Sequence, residues 1–143
     1  MKMKPLSAKF FACHFQLGGA GGGCGLASLN SILTMLDKRG IIFAFSPEKG
    51  ISPKRILREL RLAGLQAIPK LKSIRNLRGH SILWYPKPRD HYVVVREVKD
   101  GKALVYDSEK TRPYWLPLPS LQKKWYKEYS GRMCGWAIEV RKK

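Results

Sequence analysis

His91-Tyr92-Val93-Val94-Val95-Arg96-Glu97-Val98-Lys99-Asp100-Gly101-Lys102-Ala103-Leu104-Val105-Tyr106-Asp107 is the stretch on which the fold turns. Two apolar or aromatic runs flank Asp100-Gly101, a dipeptide suited to the positive backbone angles of a tight hairpin. The stretch therefore predicts two antiparallel strands, 91–98 and 102–107, with His91 opening the first and Asp107 closing the second. A carboxylate that ends an apolar run needs a partner or exposure. A strict two-residue turn sets Asp107 across from Val94, on the face away from His91. A three-residue turn, Lys99-Asp100-Gly101 with a left-handed Gly101 in a bulge, sets it across from Val93 instead. His91 and Asp107 then share one face as diagonal neighbours, about 7–8 Å apart at Cα and within side-chain reach. A His91–Asp107 pair thus predicts the three-residue turn. Without it, the two are a strand-end histidine and a turn-starting aspartate.

Outward from the hairpin, the other elements follow from period and punctuation. Ser81-Ile82-Leu83-Trp84-Tyr85 reads as a strand stopped by Pro86 and Pro88. Residues 118–127 predict a short amphipathic helix, and residues 134–140 a final strand. On the N-terminal side, residues 9–16 read as extended, and the glycine-rich run 18–23 is incompatible with regular structure. Leu26, Leu29, Ile32, Leu33 and Leu36 then recur at helical spacing as one apolar stripe, with Gly40 expected to end the helix after Asp37-Lys38-Arg39. A second helix starts with Ser52 as cap and Pro53 in the first turn, buries Ile56, Leu57 and Leu60, and closes at Gly64. Its outer face, Lys54, Arg55, Arg58 and Arg61, reads as solvated. Helices first and an antiparallel sheet second predict an α+β fold. No internal repeat or linker divides the chain, so residues 1–143 form a single domain.

Composition excludes several classes. Apolar content of 44% and charged content of 27% are those of a globular chain, not a disordered one. No apolar run approaches the roughly 20 residues that span a bilayer. Lys9, His14 and Gln16 interrupt the apolar stretch behind the basic start, which argues against a secretion signal. Three cysteines make no disulfide framework and point to a reducing, cytoplasmic setting. The formal charge of +18 is the extreme value and favours contact with a polyanion or nucleic acid, or else a uniformly basic proteome. Lys70, Lys72, Arg75 and Arg78 form one dense basic stretch, and Lys123, Lys124 and Lys127 another.

Cys24 sits where the glycine run meets the first turn of a helix. The positive end of a helix lowers a thiol's pKa toward the reactive thiolate, and the amide of Cys24 can face a developing oxyanion. Alone, Cys24 reads first as an ordinary buried cysteine at the head of a core helix. A nucleophilic cysteine needs a base, and the base needs a group that fixes its tautomer; His91 and Asp107 are the residues of the right types. Gly18 to Gly23 is no phosphate loop, because no Lys-Ser or Lys-Thr follows it. Cys13, His14 and Cys24 lack zinc-ligand spacing. Cys13 and Cys134 read as small buried hydrophobes, His80 as a strand-end or surface residue, and Trp84, Trp115, Trp125 and Trp136 as core or groove-wall residues.

The order Gln16, then Cys24-Gly25-Leu26-Ala27-Ser28-Leu29-Asn30, then His91-Tyr92-Val93-Val94-Val95, then Leu104-Val105-Tyr106-Asp107 resembles papain-like cysteine peptidases. It looks most like the small bacteriocin-processing peptidases that cut leader peptides after a double glycine. Residues 52–65 resemble that family's second helix, and Leu118-Pro119-Ser120-Leu121 with Trp125 its closing segment, so the likeness spans residues 10–140. The resemblance implies a papain-like fold with N-terminal helices packed on a C-terminal antiparallel sheet. It implies Cys24 as nucleophile, His91 as general base and acid, Asp107 as orienter, and Gln16 as a side-chain donor to the oxyanion hole. It implies a peptide or protein substrate and no metal or organic cofactor. The segment between Gln16 and Cys24 is longer here than in the family and mostly glycine. Leu17-Gly18-Gly19 itself resembles a double-glycine cleavage site.

Two other classes compete. One is a catalytically silent papain-like domain that binds peptides, against which stands the joint presence of Cys24, His91 and Asp107. The other is a basic nucleic-acid-binding protein, supported by charge but by no recognised motif. Deamidase, transamidase and deubiquitinase-like chemistries stay open on the same residues.

Overall fold

The computed structural model describes residues 24–38, 52–87, 90–110 and 112–143, with side chains of the first helix from Ala27 onward. The elements are α1 (Cys24–Met35), α2 (Pro53–Leu62), β1 (Leu65–Lys72), a 3-10 turn (Ile74–Asn76), β2 (Ser81–Tyr85), β3 (His91–Lys99), β4 (Lys102–Tyr106), β5 (Tyr114–Pro117), α3 (Leu118–Trp125), β6 (Lys127–Tyr129) and β7 (Arg132–Lys142). The described strands form one seven-stranded sheet in the order β1-β7-β2-β3-β4-β5, with β6 paired to β7. Every pairing is antiparallel. The α+β expectation holds.

Strand alternation divides the core in two. On one face, Leu65, Ala67, Ile82, Val94, Ile138 and Val140 meet α1 and α2. On the other, Leu83, Val93, Val95, Ala103, Val105 and Ala137 meet Leu121 and Trp125 of α3. Trp125 lies flat on backbone: its indole N–H donates to the Trp136 carbonyl at 2.8 Å, and a Cβ added at Gly135 would fall 2.0 Å from its ring. A glycine is required there by close approach.

α1 is more deeply set than one apolar stripe implies. Every residue from Ala27 to Leu33 is buried, including Ser28, Asn30 and Ser31, and the Ser31 hydroxyl donates to the Ala27 carbonyl at 2.8 Å. Leu29, Ile32 and Leu33 are fully buried, each worth about 1.5–3 kcal/mol of transfer free energy. The helix also stops before Gly40. Asp37 takes φ 60°, its N–H donates to the Thr34 carbonyl, and the Lys38 N–H donates to the Leu33 carbonyl. That is a Schellman closure with aspartate in the left-handed position glycine usually fills, and Lys38 lies beyond the last turn.

α2 matches its sequence signals. Ser52 caps it by accepting from the Arg55 N–H, Pro53 stands in the first turn, Ile56 and Leu60 are buried, and Gly64 has φ +84°. Strand β1 went unread because Pro69 and two lysines interrupt its pattern. Among the described strands it stands at the sheet edge with β7 as its sole neighbour, where a proline is tolerated.

Candidate active site

The β3–β4 hairpin closes differently from expectation. Asp100 and Gly101 both have positive φ, 52° and 75°, and Lys99 pairs with Lys102, so the turn has two residues. The extra residue lies inside β3 instead: Val95 faces Val105 while Glu97 faces Leu104, leaving Arg96 as a bulge. Beyond it Val94 pairs with Tyr106, and one further step sets Asp107 across from Val93. The three-residue turn is therefore wrong, yet the face it was invoked to explain is occupied through the bulge. Two contacts hold the bulge. The Arg96 guanidinium donates to the Tyr106 hydroxyl at 2.8 Å, and a Cβ at Gly79 would stand 2.3 Å from the Arg96 carbonyl oxygen.

His91 Nε2 and Asp107 Oδ1 lie 2.7 Å apart, with both side chains largely buried. A carboxylate only accepts, so Nε2 carries the proton and the tautomer is set. Asp107 is itself pinned. Its Oδ1 also accepts from the Glu109 N–H at 2.9 Å, and its carbonyl accepts from the Lys110 N–H at 2.9 Å. Burial pushes the Asp107 carboxyl upward, but the hydrogen bond from His91, the charge of His91, the Glu109 amide and Lys110 together hold it below the usual range. The group is an anion at neutral pH.

The pair lies in a cleft of about 340 Å³ lined by Tyr85, Lys87, His91, Asp107, Glu109, Lys110 and Lys124. The Tyr85 ring stands 6.2 Å from His91, tilted by 54°, and its buried hydroxyl has no hydrogen-bond partner among the described residues. Burial first, then Tyr114 and Asp107, push that phenol far up. Tyr114 is pushed up to about 12 by burial and by the Asp107 carboxylate beside it. Both tyrosines are neutral donors at neutral pH. Neither was singled out in the sequence, since an aromatic at a strand end carries no mark of the cleft it faces.

Cys24 is the first residue of α1, and α1 packs against β3, the strand that His91 opens. Gln16, Cys13, His14 and the glycine run lie outside the described residues. Cys134 is a buried free thiol, as expected of a small hydrophobe. Ligand atoms of His91, Asp107 and Glu109 lie within 4.8 Å of one another, a spacing that a metal ion also needs. Two of those three groups already share the 2.7 Å hydrogen bond, which uses the same nitrogen and carboxylate.

Neither a family model nor a curated protein matches the sequence. The solved structures place the fold first by class: helices on an antiparallel sheet in the arrangement of papain-like peptidase domains. More particularly, the chain superimposes on a double glycine motif protease from an AMS/PCAT transporter, solved in complex with the leader peptide. The TM-score is 0.63 and the identity 20%, covering 84% of each chain. It also superimposes on the peptidase domain of Streptococcus ComA, a bi-functional ABC transporter involved in a quorum sensing pathway. There the TM-score is 0.66 and the identity 16%, covering 84% of this chain and 91% of that one. The likeness read from Cys24-Gly25, His91 and Asp107 points to the same group of folds. No described helix is long and apolar enough to cross a membrane.

Proposed function

We propose that this protein is a cysteine peptidase that cleaves peptide amide bonds, with Cys24 as nucleophile, His91 as proton carrier and Asp107 as the group that orients His91. The observation that carries the reading is the 2.7 Å His91–Asp107 hydrogen bond in a largely buried setting, on a fold whose solved relatives are peptidase domains. Asp107 engages Nε2 and so directs the chemistry to Nδ1, the nitrogen that exchanges a proton with the Cys24 thiol. The thiolate attacks the scissile carbonyl carbon, and the oxyanion is held by the Cys24 amide and the Gln16 side-chain amide. His91 protonates the departing amine. It then takes a proton from the water that hydrolyses the thioester, which frees the acid product and restores the thiol. A peptide substrate of the leader class is supported by the complex of one structural neighbour with its leader peptide.

The test is the alkylation rate of Cys24 across pH, with the adduct located by mass spectrometry, in the native chain and in His91→Ala. An activated pair gives an apparent thiol pKa well below the free value of about 8.5, rising when His91 is lost. Slow labelling with an ordinary pKa, indifferent to His91, overturns the proposal.

A further inference from the structure

On the sheet face that carries α3, over β1 and the Glu139–Arg141 end of β7, lies a cationic groove of about 420 Å³. Its floor is the buried pair Lys72–Glu139, 2.5 Å apart. Glu139 also accepts from Arg141, and these bonds, that from Lys72 above all, hold its carboxyl down to about 2. The one carboxylate among the described residues of the groove is thus fully committed to two of its cations. Lys70, Arg75, Arg78 and Arg132 line the rim, all exposed, and no ion pair with a described residue engages them. Glu139 offsets one positive charge out of six lining side chains, which leaves a concave surface of one sign. Such clefts concentrate anions.

We propose that this groove binds an extended acidic peptide segment. Two observations choose a peptide over nucleic acid. No aromatic side chain among the described residues lines the groove, so bases find no stacking platform. Among the described strands β1 stands at the sheet edge and offers unpaired backbone groups to an extended chain. The rim arginines, whose planar forks match carboxylates as they match phosphates in two-bond geometry, select an anion. β7 and β2 separate β1 from β3 in the sheet, so the groove is distinct from the His91–Asp107 cleft and stands whether or not that cleft is catalytic.

The experiment is fluorescence anisotropy on the full chain at physiological ionic strength. The probes are a labelled oligoglutamate containing leucine, the same peptide with glutamine for glutamate, and single-stranded oligothymidylate of matched charge. Arg75→Ser with Arg78→Ser removes two rim cations. Lys54→Ser with Arg58→Ser removes the same charge from exposed α2 as a control. The expected result is tight binding of the acidic peptide alone, weakened about tenfold by the groove variant and little by the control. Equal weakening by both variants shows delocalised attraction and overturns the site. Tighter binding of oligothymidylate with the same residue dependence makes the groove a nucleic-acid surface and overturns the peptide assignment. No binding of any probe overturns both. Thermal melts of the two variants check that each is folded. Because binding is read without turnover, failure here leaves the peptidase proposal standing, and an inert Cys24 leaves the groove standing.

Discussion

Replacing Asp107 by asparagine and by alanine should have very different consequences, and the geometry says why. Asp107 Oδ1 accepts from two donors, the Glu109 N–H at 2.9 Å and His91 Nε2–H at 2.7 Å. In Asp107→Asn, the atom at that point must stay an oxygen, because an amide nitrogen there would face the Glu109 N–H. The carbonyl oxygen of asparagine therefore still accepts from Nε2, and the histidine keeps its tautomer. What is lost is the charge on the acceptor, worth about 1 kcal/mol between a charge-assisted and a neutral hydrogen bond, or roughly fivefold in rate. In Asp107→Ala, Nε2 loses its acceptor, both tautomers open, and the ring is released. A loss of about 10²–10⁴ is then expected, the size of a general acid–base contribution. The assay is the pH profile of Cys24 alkylation for the three proteins, followed by peptide cleavage once a substrate is in hand. If Asp107→Asn is as damaging as Asp107→Ala, the oxygen at that point is not held by Glu109. If Asp107→Ala matches the native protein, Asp107 does not orient His91.

Lys72→Met leaves buried Glu139 with Arg141 as its one remaining ion-pair partner among the described residues, and should cost about 3 kcal/mol in urea unfolding. The same pair sets an acid limit. Glu139 is held at about 2 in the folded chain against 4.5 unfolded, so its stabilisation is complete above about 4.5 and is lost as pH falls toward 2, a dependence that Glu139→Gln should flatten. Gly79→Ala would press a Cβ against the Arg96 carbonyl, 2.3 Å away, and should lower stability by about 1–3 kcal/mol while also slowing Cys24 labelling, because the bulge sets where Asp107 lies. Tyr85→Phe removes a buried hydroxyl that has no partner among the described residues and should raise stability by about 1 kcal/mol in thermal melts; a fall would mean that the hydroxyl is bonded in solution.

Much of this fold is legible in local signals because those signals have local causes. Ser52 and Pro53 cap α2 through the chain's own next turn, and Asp100-Gly101 reverses the hairpin through its own φ angles. What escaped depends on neighbours distant in sequence. β1 is a strand because β7 pairs with it across residues 65–72, despite Pro69. The bulge sits at Arg96 rather than in the turn because Tyr106 takes its guanidinium across the hairpin and Gly79 makes room for its carbonyl, and the second of these is not visible in the hairpin alone. At the site, the residue types at 91 and 107 could be read as a histidine and its acid, but the part of Glu109 is played by a backbone amide, and no side-chain pattern announces it. The cationic groove was legible only as the basic stretch 70–78; Arg141 joins it through the register of β1 with β7, and Arg132 from the start of β7, where it pairs with β6.

The bulge at Arg96 also makes the hairpin a counter of odd and even. Each residue gained or lost between Val95 and Tyr106 turns Asp107 from the α3 face of the sheet to the α1 face, and a second such change turns it back. Descendants of this sequence are thus free to lengthen or shorten the loop end in pairs, while a single insertion or deletion must be matched by loss or gain of a bulge. The His91–Asp107 hydrogen bond constrains not the number of residues between the two but the parity of that number together with the bulge count.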